Sequence, residues 1–177
     1  MIFLKSEKMK RPTKILSDEH KNILKFIDIL DKKCDDAEEG KGIDREFFKK
    51  AIEFIRNYAD KFHHAKEEDI LFKELCSDEV ELHCNPVDQM LHEHELGRGF
   101  VKGMEAALNN NDKAKVVENA RGYIQLLQEH IFKEDNILYP MADSALSEKV
   151  QKLILEKFEK REKQFNDMKK YLNILKR

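Results

Sequence analysis

Apolar residues recur at three- and four-residue intervals along most of the chain, the spacing of helices that bury one face. The first stripe, Leu16, Ile23, Ile27, Leu30 and Cys34, accompanies Ser17, a cap residue followed by the acidic Asp18 and Glu19, and runs to the segment DDAEEGKG. A second helix is predicted from the cap-like Asp44 to about Leu75, with Ile52, Ile55, Ala59 and Ile70 on its inner face. CSDEVELHCNP, residues 76–86, reads as a connection, after which a third helix runs from about Pro86 to Leu108. NNND at 109–112 is a turn and cap signal. A fourth helix follows to about Leu138, where Pro140 stops it, and a fifth starts at the cap Ser147 and carries Val150, Ile154, Phe158, Phe165, Met168 and Leu172. Four long helices with short connections predict an all-α fold, an antiparallel up-down-up-down four-helix bundle with an additional C-terminal helix. Residues 1–13, lysine-rich and without periodicity, read as a flexible arm, 14–141 as the bundle, and 142–177 as the helix packing on it.

In each of the four bundle helices the inner stripe is interrupted by polar residues at one place, and these are histidines and glutamates. The first stripe passes through His20, and the second continues from Ala59 into His63, Glu67 and Ile70. On the third helix His94 lies in line with Val87, Met90, Val101 and Leu108, whereas His92 aligns with Asp88 and Glu95 on a polar face. On the fourth, Val116, Ala120, Tyr123 and Leu127 lead into His130, Glu134 and Ile137. Residues equally distant from a hairpin turn lie side by side. His20 and His63 flank the turn near 41, Glu67 and His94 flank the 76–86 connection, and His94 and His130 each lie 18 residues from position 112, so the clusters meet in one layer nearer the 76–86 end.

The chain also repeats itself. HHAKEEDILF at 63–72 matches HIFKEDNILY at 130–139 in the pattern H-x-x-K-E-x-x-I-L-[FY], and the first and third helices both carry an EH pair, Glu19-His20 and Glu93-His94. Residues four apart are displaced by only about 40° around an α-helix, so His63 with Glu67, and His130 with Glu134, share a face. The same geometry turns Glu68 outward.

Composition narrows the class. The 177 residues are 41% hydrophobic and 38% charged, with three prolines, six glycines and no tryptophan, which fits one helix-rich domain with a solvated exterior. The formal charge of -2 is interleaved in sign and gives no support for nucleic-acid or membrane-surface binding. Cys34, Cys76 and Cys84 lack CxxC spacing, so neither a disulfide framework nor a zinc ribbon is indicated. MIFL is too short for a signal-peptide core, and no apolar run approaches about 18 residues, so the expected setting is cytoplasmic. His83 and His92 read as surface residues, and Cys76 and Cys84 as loop or packing cysteines.

An uncompensated buried carboxylate costs several kcal/mol or more, so two converging with histidines demand a partner, and a metal supplies one. The alternative for any single inward histidine is a hydrogen-bonded core residue. Imidazole and carboxylate without thiolate suit iron, manganese or zinc, and two glutamates able to bridge point to two ions, with iron preferred. The Glu-x-x-His order of ferritin-like di-iron bundles is absent.

His20, HHAKEEDILF, the EHELGR segment at 93–98 and HIFKEDNILYP resemble the hemerythrin and hemerythrin-like (HHE cation-binding) family over roughly Leu16 to Met141. The resemblance implies a bundle holding two non-haem iron ions, oxo- or hydroxo-bridged, with five histidines, two bridging carboxylates and an open position on one iron. It implies His20, His63, His94 and His130 as ligands and Glu67 and Glu134 as bridges. Oxygen-carrying hemerythrins have two histidines four apart on the third helix, but Met90 stands four before His94. His64 is the replacement expected as fifth ligand, with a boundary residue as the alternative. Oxygen carriers also use an aspartate five after the fourth-helix histidine, where Asp135 stands, but the repeat favours Glu134 and leaves Asp135 facing solvent. The function expected is binding or sensing of dioxygen or a related small oxidant. The alternatives are a di-iron oxidoreductase acting on peroxide or nitric oxide, an iron donor in iron-sulfur cluster repair, or a module whose metal controls folding. Expected partners are a small diatomic or peroxide ligand and a protein redox partner, with the chain a monomer or a dimer through its fifth helix.

Overall fold

A computed structural model of the chain describes residues 10–77, 80, 86–165 and 168–176. The described residues form helices and connections without strands, and the four long helices make the expected bundle. Helix α1 spans Pro12–Asp36, α2 residues 45–75, α3 Val87–Asn109, α4 residues 113–145 and α5 Glu148–Gln164. A short helix α6, Met168–Tyr171, and a 3₁₀ turn, Leu172–Lys176, complete the chain.

Three boundaries differ from the sequence reading. Helix α1 begins at Pro12, five residues before Ser17, because proline at the first position has a suitable φ and lacks only an N–H that a helix start leaves unused. Arg11 and Thr13 donate to Asp143 at 2.8 and 2.6 Å, so the last residues of the expected arm are packed against α4. Positions 1–9 of that arm lie outside the described residues. Helix α4 runs through Pro140 to Ala145. The turn before the proline is widened, with Tyr139 N–H bonded to the carbonyl five residues back on Glu134, which opens the place where the ring would otherwise meet a carbonyl. Helix α5 ends at Gln164, where Phe165 leaves helical geometry, and Ile174 lies in the core.

Capping follows the sequence. Asp44 accepts from Phe47 N–H at 3.0 Å, Asp112 from Lys115 N–H at 3.1 Å, and Ser147 from Val150 N–H at 3.4 Å, each satisfying a donor left over at a helix start. Gly40, at φ +88°, makes the tight passage from α1 towards α2. At Gly122 a Cβ would lie 2.4 Å from the Phe100 ring, so glycine lets α4 and α3 approach closely.

The core has two parts. One is built around Phe26, Phe48, Phe54, Tyr58, Met104 and Leu127, and the smaller around Leu16, Leu71, Leu75, Val87, Leu138 and Phe158 near the 76–86 end. Between them lies the layer of His20, His63, Glu67, His94, His130 and Glu134, all buried. Cys34 is buried in the larger core, while His83 and Cys84 lie outside the described residues. No described helix is long and apolar enough to cross a membrane.

Candidate metal centre

The seven histidines and glutamates singled out from the sequence come together at one level. His20, His63, Glu67 and Glu134 form one group of potential ligand atoms, and His64, His94 and His130 form a second. His64 is buried and its ring stacks on His94 with centroids 3.8 Å apart. The boundary position allowed by α-helical spacing is therefore not the one it occupies. Helix α2 is wound wide from Ile55 to His64, with Ala65 N–H bonded to Asp60 O, and each wide turn accommodates more residues than an α-turn, which brings two successive histidines inward.

The two carboxylates stand between the groups. Glu134 places one oxygen 3.2 Å from His20 Nε2 and the other 3.3 Å from His130 Nε2. Glu67 Oε2 lies 3.6 Å from both His63 Nε2 and His94 Nε2. Each glutamate thus faces one histidine of either group. Glu67 Oε2 and both oxygens of Glu134 are buried without a hydrogen-bond partner among the described residues, a costly state unless a cation completes it.

Four of the five imidazoles hold their other nitrogen against a carboxylate within hydrogen-bond distance, whereas the buried Nδ1 of His64 has no hydrogen-bond partner among the described residues. His20 Nδ1 lies 3.0 Å from Asp135, His63 Nδ1 2.9 Å from Glu19, His94 Nδ1 2.6 Å from Glu68 and His130 Nδ1 2.8 Å from Glu93. His64 Nδ1 is more loosely placed, 3.7 Å from Asp60. Such partners fix ring orientation and make the opposite nitrogen a better donor to metal. Arg98 binds both Asp60 and Glu68, at 2.7 Å each. Lys66 binds Glu19 and Lys133 binds Glu93, so the K of the repeated motif clamps the E of each EH pair.

This shell was largely missed by sequence reasoning. Glu68 and Asp135 point to the histidines instead of solvent, because wide turns begin at Glu67 and Glu134: Phe72 N–H bonds Glu67 O as Tyr139 N–H bonds Glu134 O. The duplicated EH pairs and the repeated lysine were the available signals for Glu19, Glu93, Lys66 and Lys133. Tyr139, whose hydroxyl donates to Glu67 Oε1 at 2.5 Å, was represented only by the last letter of the motif.

Electrostatics shows how the layer accommodates its charges. Burial and the neighbouring Glu134 push the Glu67 carboxyl well above the usual carboxylate range. Burial acts on Glu134 in the same sense, but the His130 and His20 imidazoles outweigh it and hold Glu134 well below that range. Burial opposes charge on His20 too, yet Asp135 and Glu134 raise it to about 9; His130 reaches about 9 against burial through Glu134 and Glu93. His63 and His64 are pushed well below the ordinary imidazole value by burial, and then chiefly by His20 and His94 respectively.

The donor set, five imidazoles and two carboxylates without sulfur, with unpartnered oxygens aimed at the gap, fits cations. On the side of the three-histidine group lies a cavity of about 160 Å³, lined by His64, His94, His130, Gly97, Val101 and Tyr123 among others.

Neither a curated protein nor a solved structure gave a significant match to the chain. The family described as Hemerythrin HHE cation binding domain matches residues 11–142, which contain the whole histidine and glutamate layer and the four bundle helices except the last three residues of α4. The chain therefore belongs to the hemerythrin HHE cation binding domain family.

Proposed function

We propose that the chain is a non-haem di-iron protein that binds or senses dioxygen or a related small oxidant. In this reading His20 and His63 hold one iron, His64, His94 and His130 hold the other, and Glu67 and Glu134 bridge them. The observation that carries it is the placement of each glutamate between one histidine of either group, with three carboxylate oxygens otherwise unpartnered. Mixed nitrogen and oxygen donors without thiolate favour iron over softer-ligand sites. Bound there, a pair of iron ions would supply binding of a small ligand and exchange of one or two electrons with it.

The protein's own contribution is orientation and exclusion of water. The carboxylates at the Nδ1 atoms lock the rings, and the two apolar cores close the layer above and below. A cytoplasmic setting and a protein redox partner belong to the same proposal. The cavity beside the three-histidine group, near the volume that accommodates benzene in an engineered apolar core, is larger than a diatomic gas needs. It leaves room for peroxide, and so favours, as second reading, an oxidoreductase acting on peroxide.

Anaerobic purification followed by optical spectra before and after air separates the two. A band that appears with air and vanishes on removing oxygen supports binding or sensing. Irreversible bleaching with consumption of added peroxide supports the oxidoreductase. A spectrum indifferent to air and peroxide overturns both.

A further inference from the structure

The two halves of the polar layer match in the kind of side chain at each position, Glu68 being answered by the shorter Asp135, except at two positions. His64 has Ile131 as its counterpart in the repeat, and Tyr139 has Phe72. The first difference gives one side a third imidazole and leaves the His20 and His63 side one protein donor short. The second places a hydroxyl on that same side. The rings of Phe72 and Tyr139 do equivalent packing: Phe72 stacks on His94 with centroids 6.1 Å apart, and Tyr139 on His20 at 5.5 Å and 8°. Packing therefore accounts for the ring and not for the hydroxyl, which lies 2.5 Å from Glu67 Oε1 and 3.4 Å from His20 Nε2.

Tyr139 also has a position relative to solvent. Buried itself, it lines an open surface groove together with the half-buried Asp135, the exposed Lys10, Arg11 paired with Asp143, and Lys14 paired with Asp18. The cavity of about 160 Å³ lies instead against the three-histidine group and contains a different tyrosine, Tyr123, whose buried hydroxyl has no partner.

Resting on the iron-pair reading above, we propose that Tyr139 is the hydrogen-bond donor to the exogenous ligand at the two-histidine position. The ligand is a small anion or strongly polarised molecule that enters from the groove that Tyr139 lines. Glu67 Oε1 is the acceptor that keeps the hydroxyl in place until that ligand arrives. A single neutral donor in a dry layer stabilises a bound anion without adding a proton to it.

The test uses azide as probe on the full chain loaded with ferric iron, comparing wild type, Tyr139→Phe and Tyr123→Phe by iron content and by stopped-flow dissociation of azide. The expected result is about two irons in all three proteins and azide dissociation faster by about tenfold in Tyr139→Phe alone, the loss of one hydrogen bond. Unchanged dissociation in Tyr139→Phe with two irons bound overturns the proposal and leaves the iron-pair reading standing. Loss of iron from Tyr139→Phe shows that the hydroxyl serves Glu67 only, and acceleration in Tyr123→Phe places the ligand in the other cavity; each overturns it. A wild-type chain with fewer than two irons removes the proposal and the reading together.

Discussion

The Nδ1 of His94 meets Glu68 at 2.6 Å across the α3 to α2 interface, and the internal repeat reproduces the bond between His20 and Asp135 at 3.0 Å. In both cases the carboxylate is the residue immediately after the glutamate that faces the ion position. Asp135→Asn keeps the volume and removes the charge that orients His20. Metal affinity should fall by roughly 10–100-fold, read by competition with a chelator, while helicity is unchanged. Equal affinity in the variant would show that Asp135 does not support the site.

His64 is the member of the three-histidine group with the weakest anchorage, its Nδ1 3.7 Å from Asp60. His64→Ala should therefore empty the His94 and His130 position first. Dialysis against chelator is expected to leave about one iron per chain in the variant under conditions that leave two in the wild type, an estimate that follows from loss of one of few protein donors. Retention of both ions would remove His64 from the ligand set.

Lys66 is fully buried, bonded to Glu19 and, at 2.8 Å, to Glu162 of α5, with its ammonium 3.8 Å from the centre of the Phe62 ring. It ties the C-terminal helix to the carboxylate that orients His63. Lys133, its counterpart on Glu93, is about one third exposed and has no such helix over it. Lys66→Ala should destabilise the fold by about 3–5 kcal/mol, the usual cost of removing one partner of a buried pair, and Lys133→Ala by clearly less. Thermal unfolding measures both; equal losses would contradict the asymmetry.

Much of this was legible beforehand, for a physical reason. Stripes of apolar residues with a 3.6-residue period report which face is buried, so His20, His63, His94, His130, Glu67 and Glu134 were found by lying on those stripes. Glu68 and Asp135 were misassigned because the period itself changes where they stand: the hydrogen bonds from Phe72 to Glu67 and from Tyr139 to Glu134 span five residues. Wide turns leave no mark in the hydrophobic pattern. Pro140 likewise reads as a helix end in sequence, and becomes tolerable only after the turn before it has widened.

Loading should depend on pH. In the ion-free protein His20 and His130 are raised to about 9, so each carries a proton at neutral pH that a metal ion must displace. Apparent affinity is expected to rise with pH through the neutral range and level off above about 9. The sign is that of proton competition: below about 9 the protonated form dominates and opposes loading. Chelator competition at several pH values checks this, and a flat profile between neutrality and that point would contradict it.

The central claim is that one layer holds two irons bridged by Glu67 and Glu134. Anaerobic titration of the metal-free chain with ferrous iron, followed by removal of loosely held metal and counting of iron per chain, tests it most directly. The account predicts two irons per chain in the wild type and loss of the pair in both Glu67→Ala and Glu134→Ala. A single iron or none in the wild type, or an intact pair in either variant, would contradict it.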